Sequence, residues 1–469
     1  MQEKILKLAI ATLLATGSLS VQAQVERSDE FHGKYKLSEV VVFSRHNVRA
    51  PLASNGDGIT LMTPYEWHDF GVKASELTMR GGLLETTNGQ FFNKWVVSEG
   101  LFPRNAEPTD DEIYVLANSK QRTISTARHF ISAFMPMKTI TVNHEGKVGD
   151  MDPNFSLTLG YDITDEEWAQ IKEEYDAAYS PEKIRQVGER LKPNFDLLAD
   201  VLDLEDSEAY QTGDITGFDH YDGVITYEPG AEPNIAETSI SKAYAASDAL
   251  VLQYYEEADS IKAAFGKDLT REQWHMLGEF VAIRDEMRFA SPFVQRYVSR
   301  HQRNIIASEL QKEGRKFTFL CGHDTNLHNI LCSMRAEEHE VANAVETGTP
   351  IGSKIVFEKW TDESGNAFIG VNHVYQSVDQ LRNRIPLDLN TRPCIVPLTF
   401  EGLTANEDGL YPLDDIINRL TEQDLPSGIN SHKTEQFATV DTAYTISGTP
   451  ATDAYQGVVI QGGAKRLVK

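Results

Sequence analysis

Cysteine is scarce in this chain of 469 residues, which has three. There is no CxxC, no Cys/His pair at zinc spacing, and no HExxH among the thirteen histidines. Zinc ribbons, dithiol redox motifs and histidine-built metalloprotease sites therefore have no basis in the sequence. Cys321, Cys332 and Cys394 leave two readings open. Either two of them pair, in a combination the spacing does not select, or all three are small buried hydrophobes. Positive charge is also short: 44 Lys and Arg stand against 70 Asp and Glu, a formal net charge of −26. So acidic a body repels phosphate backbones and anionic bilayers, so neither nucleic acid nor a membrane is expected as a partner. No apolar run is long enough to span a bilayer, and there is no internal repeat or long low-complexity tract. What remains, 41% hydrophobic and 24% charged, is the ordinary composition of a globular protein.

The N-terminus has the three parts of a secretory leader in order. Lys4 and Lys7 are charged, Leu8 to Leu14 is a short apolar stretch, and Val21-Gln22-Ala23 has the small-residue cleavage pattern. Residues 1–23 are thus expected to be removed and the protein to be periplasmic or secreted. Strand-like and helix-like runs then alternate: Glu39–Ser44, an amphipathic stretch from Met79 to Glu99, Ile113–Ala117, and Ile124–Met135. From Thr164 to about Gly314 strand signals nearly vanish. Thr164 with Glu167 and Thr270 with Gln273 have capping-box spacing, and Ser180-Pro181 and Ser291-Pro292 place a cap residue before a helix-opening proline. Strand character returns at Phe317–Cys321 and Ser353–Trp360. The expected fold is α/β, with a mostly parallel central sheet flanked by helices and a helical insertion, or cap. Residues 24–150 and 316–422 would form the discontinuous α/β domain and 151–315 the cap, leaving 423–469 as an extension of unknown role.

Three strands end in unusual polar clusters. The first runs into Arg45-His46-Asn47-Val48-Arg49-Ala50-Pro51, and the second into Asn118-Ser119-Lys120-Gln121-Arg122-Thr123. The third runs into Gly322-His323-Asp324-Thr325-Asn326. Ligands of open parallel sheets sit beyond the carboxyl ends of the strands, so three such ends would converge on one anion. Helices starting behind Arg122 and Asp324 would add backbone N–H groups and positive dipole ends. On an acidic body such a cationic island is informative. Each cluster alone has a blander reading: Arg45 and Arg49 as surface charges, His323 as a core histidine, Asp324 as a helix cap. Lys120 reads as solvated, Asn47 as shaping its loop, and Trp67-His68-Asp69 as candidates for the entrance. His323, Asp324 and His328 make a poor metal cluster, because residues five apart on a helix face different ways. No metal or cofactor is expected.

These residues resemble the histidine acid phosphatases, whose signature is RHGxRxP with a distant HD pair. Here the first is Arg45-His46-Asn47-Val48-Arg49-Ala50-Pro51 and the second His323-Asp324, while Asn118 to Thr123 is similar to a third phosphate-contact segment. Asn47 replaces the usual glycine, and RHNxRxP is typical of the periplasmic glucose-1-phosphatase branch. Leu250–Glu256, Thr349–Phe357 and Val374–Asn383 also look like that branch, and the resemblance runs from about Lys36 to Glu422. It implies a secreted phosphatase acting on small phosphate monoesters. His46 would be the nucleophile and Asp324 the proton donor, with Arg45, Arg49, Arg122 and His323 holding the phosphoryl group. The same family contains phytases, which act on inositol polyphosphates. An inactive anion-binding protein is the reading outside enzymes.

Overall fold

The structure, a computed structural model, describes residues 27–53, 56–236 and 238–422, together with short strands between 444 and 468. The leader expected over 1–23 lies outside the described residues. The chain divides into two compact units, Met1–Asp424 and Leu425–Lys469.

The first unit is built on one sheet. Its strands are β1 (Tyr35–Arg45), β2 (Ile113–Ala117), β5 (Phe317–Gly322), β6 (Lys354–Asp362), β7 (Ala367–Tyr375), β8 (Cys394–Pro397) and β9 (Tyr411–Pro412). The spatial order is β2-β5-β1-β6-β7-β8, with β9 on β7. A separate two-stranded ribbon, β3 (Val224–Thr226) and β4 (Asn234–Ala236), lies among the helices. The α/β class is as expected. β2, β5 and β1 pair in parallel, and all three carry the polar clusters. β6 to β9 extend the sheet by antiparallel pairing, so β1, β2, β5 and β7 run one way and β6, β8 and β9 the other.

β1 shows why its sequence is a continuous apolar run rather than an alternating one. Val40 and Val42 belong to the core on one sheet face, with Phe92, Phe130 and Phe319. Val41 and Phe43 belong to the other, with Ile306, Leu310, Leu327 and Phe357. A central strand covered on both faces has no solvent side to hold polar residues, and each such side chain contributes about 1.5–3 kcal/mol on burial. The first face is covered by α1 (Met79–Ser98) and α2 (Gln121–Phe134), where the Phe130 ring lies 4.2 Å from that of Phe319.

Between the two halves of the sheet lie α3 (Asp165–Ala178), α4 (Pro181–Arg190), α5 (Lys192–Leu202), α6 (Ser239–Glu256), α7 (Arg271–Arg288) and α8 (Pro292–Leu310). The capping boxes at Thr164 and Thr270 and the proline starts at 181 and 292 form as their spacing requires. Packing divides this stretch. α5, α6 and α7 share a core with Val48 and Leu84. α8 instead lays Ile306, Ala307 and Leu310 on the sheet, beside α9 (Asp324–Ser333) and α10 (Leu413–Thr421). The helical layer covering that face thus includes α8, whose apolar stripe packs with Val41 and Phe43.

None of the three cysteines is paired. Cys321 is buried, while Cys332 and Cys394 are half-buried, so neither sequence reading holds entirely. In the second unit β10 (Tyr444–Thr445), β11 (Gly457–Gln461) and β12 (Ala464–Val468) make an antiparallel sheet, where the sequence reading had only loose polar chain. Gly462-Gly463, a hairpin-type dipeptide, separates its two longer strands. Among the described residues no helix is long and apolar enough to cross a membrane.

Candidate active site

Parallel register brings the three strand ends together. Arg45 stands opposite Gly322, and Ala117 opposite Cys321. The chain beyond each strand therefore enters the same cavity of about 510 Å³, lined by His46, Arg49, Arg122, His323 and Asp324 among others. α2 begins at Gln121, one residue before Arg122, and α9 begins at Asp324, so both helices start there.

His46 is buried, and its Nδ1 lies 2.9 Å from the carbonyl oxygen of Asn47. A carbonyl only accepts, so Nδ1 carries the proton and Nε2 keeps a bare lone pair. Burial, reinforced by Arg122, His323, Arg49 and Arg45, holds its pKa well below the ordinary histidine value. Burial and the neighbouring cations thus favour the neutral imidazole.

Arg45 reaches Asp324 (Nη2 to Oδ2, 3.0 Å), Glu346 (3.5 Å) and the carbonyl of Thr349 (2.6 Å). Arg49 donates Nη2 to both oxygens of Asp248, at 3.2 and 3.1 Å. Burial works against the charge on Arg45, but Asp324, Glu346 and Asp248 outweigh it and raise its pKa. Arg122, without a carboxylate of its own, is pulled down to about 10 by burial and by Arg49, and stays charged. The Nε–H groups of Arg45, Arg49 and Arg122 are buried and have no protein partner.

His323 adds a fourth donor. The backbone N–H of Asp152 donates to Asn118 Oδ1 (3.0 Å), which leaves Asn118 Nδ2 facing His323 Nε2 at 2.7 Å. Nε2 must therefore accept, and the proton of the neutral ring sits on Nδ1. Burial and then Arg122 lower this pKa well below the usual value. His323 Nδ1 faces Arg122 Nη2 at 3.4 Å. Two donors do not bond each other, and one acceptor to the side of the pair would answer both.

Asp324 is the first residue of α9, with His323 at the capping position, so its carboxylate is not spent as a cap. Oδ1 accepts the N–H of Thr325 and Oδ2 pairs with Arg45. Burial favours its neutral form, but Arg45, His323 and Arg49 outweigh burial and hold its pKa below the ordinary aspartate value.

All six residues singled out in the sequence thus meet here. Lys120 donates to the carbonyl of Gly149, and Asn47 donates to Glu85; neither lines the cavity. Trp67, His68 and Asp69 do not line it either; the Trp67 indole N–H donates to the carbonyl of Ile59. Sequence reasoning missed Asp248 and Glu346, the carboxylates that orient Arg49 and Arg45. It also missed the wall built by Asn234, Ser241, Lys242, Tyr244, Arg284 and Arg288. Nothing in the local pattern marked them, since each is an ordinary polar position on a helix, strand or loop. The i,i+4 spacing of Arg284 and Arg288 was the one available signal.

Residues 36–376 match the family model described as histidine phosphatase superfamily (branch 2). The chain belongs to this superfamily. A glucose-1-phosphatase of Salmonella typhimurium is 33% identical over 89% of this chain and 98% of that protein. One from Providencia rettgeri is 30% identical over 88% and 97%. A phytase of Escherichia coli K12 is 27% identical over 84% and 93%. Among solved structures, the phytase of Hafnia alvei in complex with myo-inositol hexakis sulphate has a TM-score of 0.74 at 25% identity, covering 83% of this chain and 97% of that one.

Proposed function

We propose that this phosphatase hydrolyses small phosphate monoesters through a phosphohistidine on His46. The observation that carries the reading is the set of buried, unanswered donors: the Nε–H groups of Arg45, Arg49 and Arg122, and the confrontation of Arg122 with His323 Nδ1–H. A buried donor without a partner costs roughly 1–3 kcal/mol. An anion with several acceptor oxygens answers all of them together.

The steps follow from the atoms. The arginines and His323 hold the three non-bridging oxygens and offset their charge, most of what phosphoryl transfer asks of a protein. Nε2 of His46 attacks phosphorus in line with the leaving oxygen. The P–O bond to the alcohol breaks, its electron pair goes to that oxygen, and Asp324 supplies the proton. Water then attacks the phosphohistidine, Asp324 takes a proton from it, and inorganic phosphate leaves. Splitting the reaction this way spares water a direct attack on an ester anion. Helices α6 and α7, whose Ser241, Lys242, Tyr244, Arg284 and Arg288 line the cavity, form the wall of the cap over it. Export to the periplasm or medium is supported by the leader pattern of residues 4–23.

The cations here are guanidinium and imidazole donors, and no group of three metal-ligating side chains occurs among the described residues. Dialysis against a strong chelator should leave the rate unchanged, whereas vanadate and inorganic phosphate should inhibit. Activity lost to chelation and restored only by zinc or magnesium would contradict the assignment.

Glucose 1-phosphate is the proposed model substrate. On the cap wall the charge of Arg288 is answered by Asp285 and Glu232. Arg284 lies over the Tyr244 ring and donates to Asn234. This wall offers hydroxyl, amide and aromatic groups suited to a sugar more than a surplus of cations. Lys242 and Arg284 are nevertheless the observation that favours phytate as a second reading. A panel of phosphate esters decides: kcat/KM should be higher for glucose 1-phosphate than for phytate, with phytate losing one or few phosphates. Rapid release of most phytate phosphates would select the second reading.

A further inference from the structure

The nucleophile loop rests on a buried ion pair that the catalytic steps do not use. Glu85 on α1 and Lys354 at the start of β6 are each at most 1% exposed, with Nζ 3.0 Å from Oε1. Desolvating both charges costs several kcal/mol, and such pairs rarely repay that in stability. Their bonds show where the pair acts. Glu85 Oε2 accepts from Asn47 Nδ2 at 2.9 Å, and Lys354 Nζ donates to the carbonyl of Gly352 at 2.8 Å. The N–H of Gly352 in turn donates to the carbonyl of His46 at 3.1 Å. Glu85 therefore grips, directly and through Lys354, the two segments that enclose His46.

The fit leaves no slack. Gly352 has φ +70°, and a Cβ there would stand 2.6 Å from Asn47 Nδ2. Asn47 Oδ1 accepts the N–H of Val48 (2.9 Å), and Thr126 Oγ1 accepts the N–H of Asn47 (3.2 Å). With its N–H and both side-chain ends held, the Asn47 residue has one direction in which to present its carbonyl. That carbonyl is the acceptor for His46 Nδ1.

We propose that Glu85 is a positioning residue for the nucleophile: through Asn47 it fixes the carbonyl that keeps the imidazole proton on Nδ1, leaving Nε2 bare and aimed at phosphorus. The inference rests on the phosphohistidine reading above.

Glu85→Gln keeps the shape but removes the charge, and its NH2 sets a donor against either Lys354 Nζ or Asn47 Nδ2, so the joint grip is lost. With p-nitrophenyl phosphate, kcat should fall about 10- to 100-fold, the scale of a misaimed reacting group, while KM stays within about twofold. The decisive comparison repeats the substitution in Asn47→Gly, where the direct link through the Asn47 side chain, the one the proposal assigns, is already cut. There Glu85→Gln should change kcat by less than about twofold, as expected when the two residues act through one path. An equal fall in both backgrounds, an unchanged kcat in the single variant, or a rise in KM alone would each overturn the proposal. If the unpaired lysine prevents folding, Glu85→Gln with Lys354→Met is measured in both backgrounds, with the same expectations. Failure of the underlying reading is distinguishable: it would show as no phosphorylated intermediate in the unaltered enzyme, whatever Glu85 does.

Discussion

Replacing His46 by alanine should lower turnover of every phosphate monoester on the order of 10⁴-fold or more, the scale of removing the nucleophile from a covalent mechanism. Inorganic phosphate should still bind. The separation follows from the division of labour in the cavity. Arg45 and Arg49 keep their carboxylate and backbone partners when the imidazole is gone, and Arg122 keeps facing His323, since none of those contacts passes through His46. Initial rates measure the first effect and calorimetric titration with phosphate the second. A variant that keeps most of its turnover would remove His46 from the chemistry altogether.

Asp324→Asn should reduce hydrolysis of glucose 1-phosphate by ~10²–10⁴, the usual range for losing general acid catalysis. A sugar alkoxide is a poor leaving group and needs its proton as the bond breaks. An aryl phosphate leaving as nitrophenolate needs little, so its phosphorylation step should suffer far less. Equal losses on both substrates would leave Asp324 only the role of partner to Arg45. The pH profile follows from the charge state. Arg45 foremost, with His323 and Arg49, holds the Asp324 carboxyl below its usual pKa, so in the empty site it is ionised and cannot donate. The proton must then enter with the substrate as its monoanion, which has lost its predominance above about pH 6. Proton count sets the sign: kcat/KM for sugar phosphates should be highest under acid conditions and fall as pH rises through about 6. In Asp324→Asn that limb should flatten.

The parts of this protein that were legible in sequence are those in which local chemistry and tertiary position agree. Val40 to Phe43 must be central because no residue in the run tolerates water. Thr164 with Glu167 and Thr270 with Gln273 close their capping boxes within four residues of chain. The candidate site residues were legible because three strand ends in one parallel layer share a register, so reading each end separately predicted their meeting. β7 to β9 were less visible, since their pairing depends on what β6 already offers and not on a pattern of their own. The packing of α8 on the sheet was not legible, because its starting signal looks the same whether the helix covers a sheet or other helices. Asp248, Glu346, Glu85 and Lys354 were invisible for a related reason. Their partners lie from 38 to 301 residues away, and a lone charged side chain reads as solvated until its partner is found.

The central claim is a covalent bond between phosphorus and one nitrogen. Brief mixing of the enzyme with ³²P-labelled substrate, quenching in alkali and mass-spectrometric mapping of the labelled peptide test it most directly. The label should be stable to base and lost in acid, as a phosphoramidate is, and should map to Nε2 of His46. An acid-stable label on another residue, or no label during steady turnover, would contradict the account.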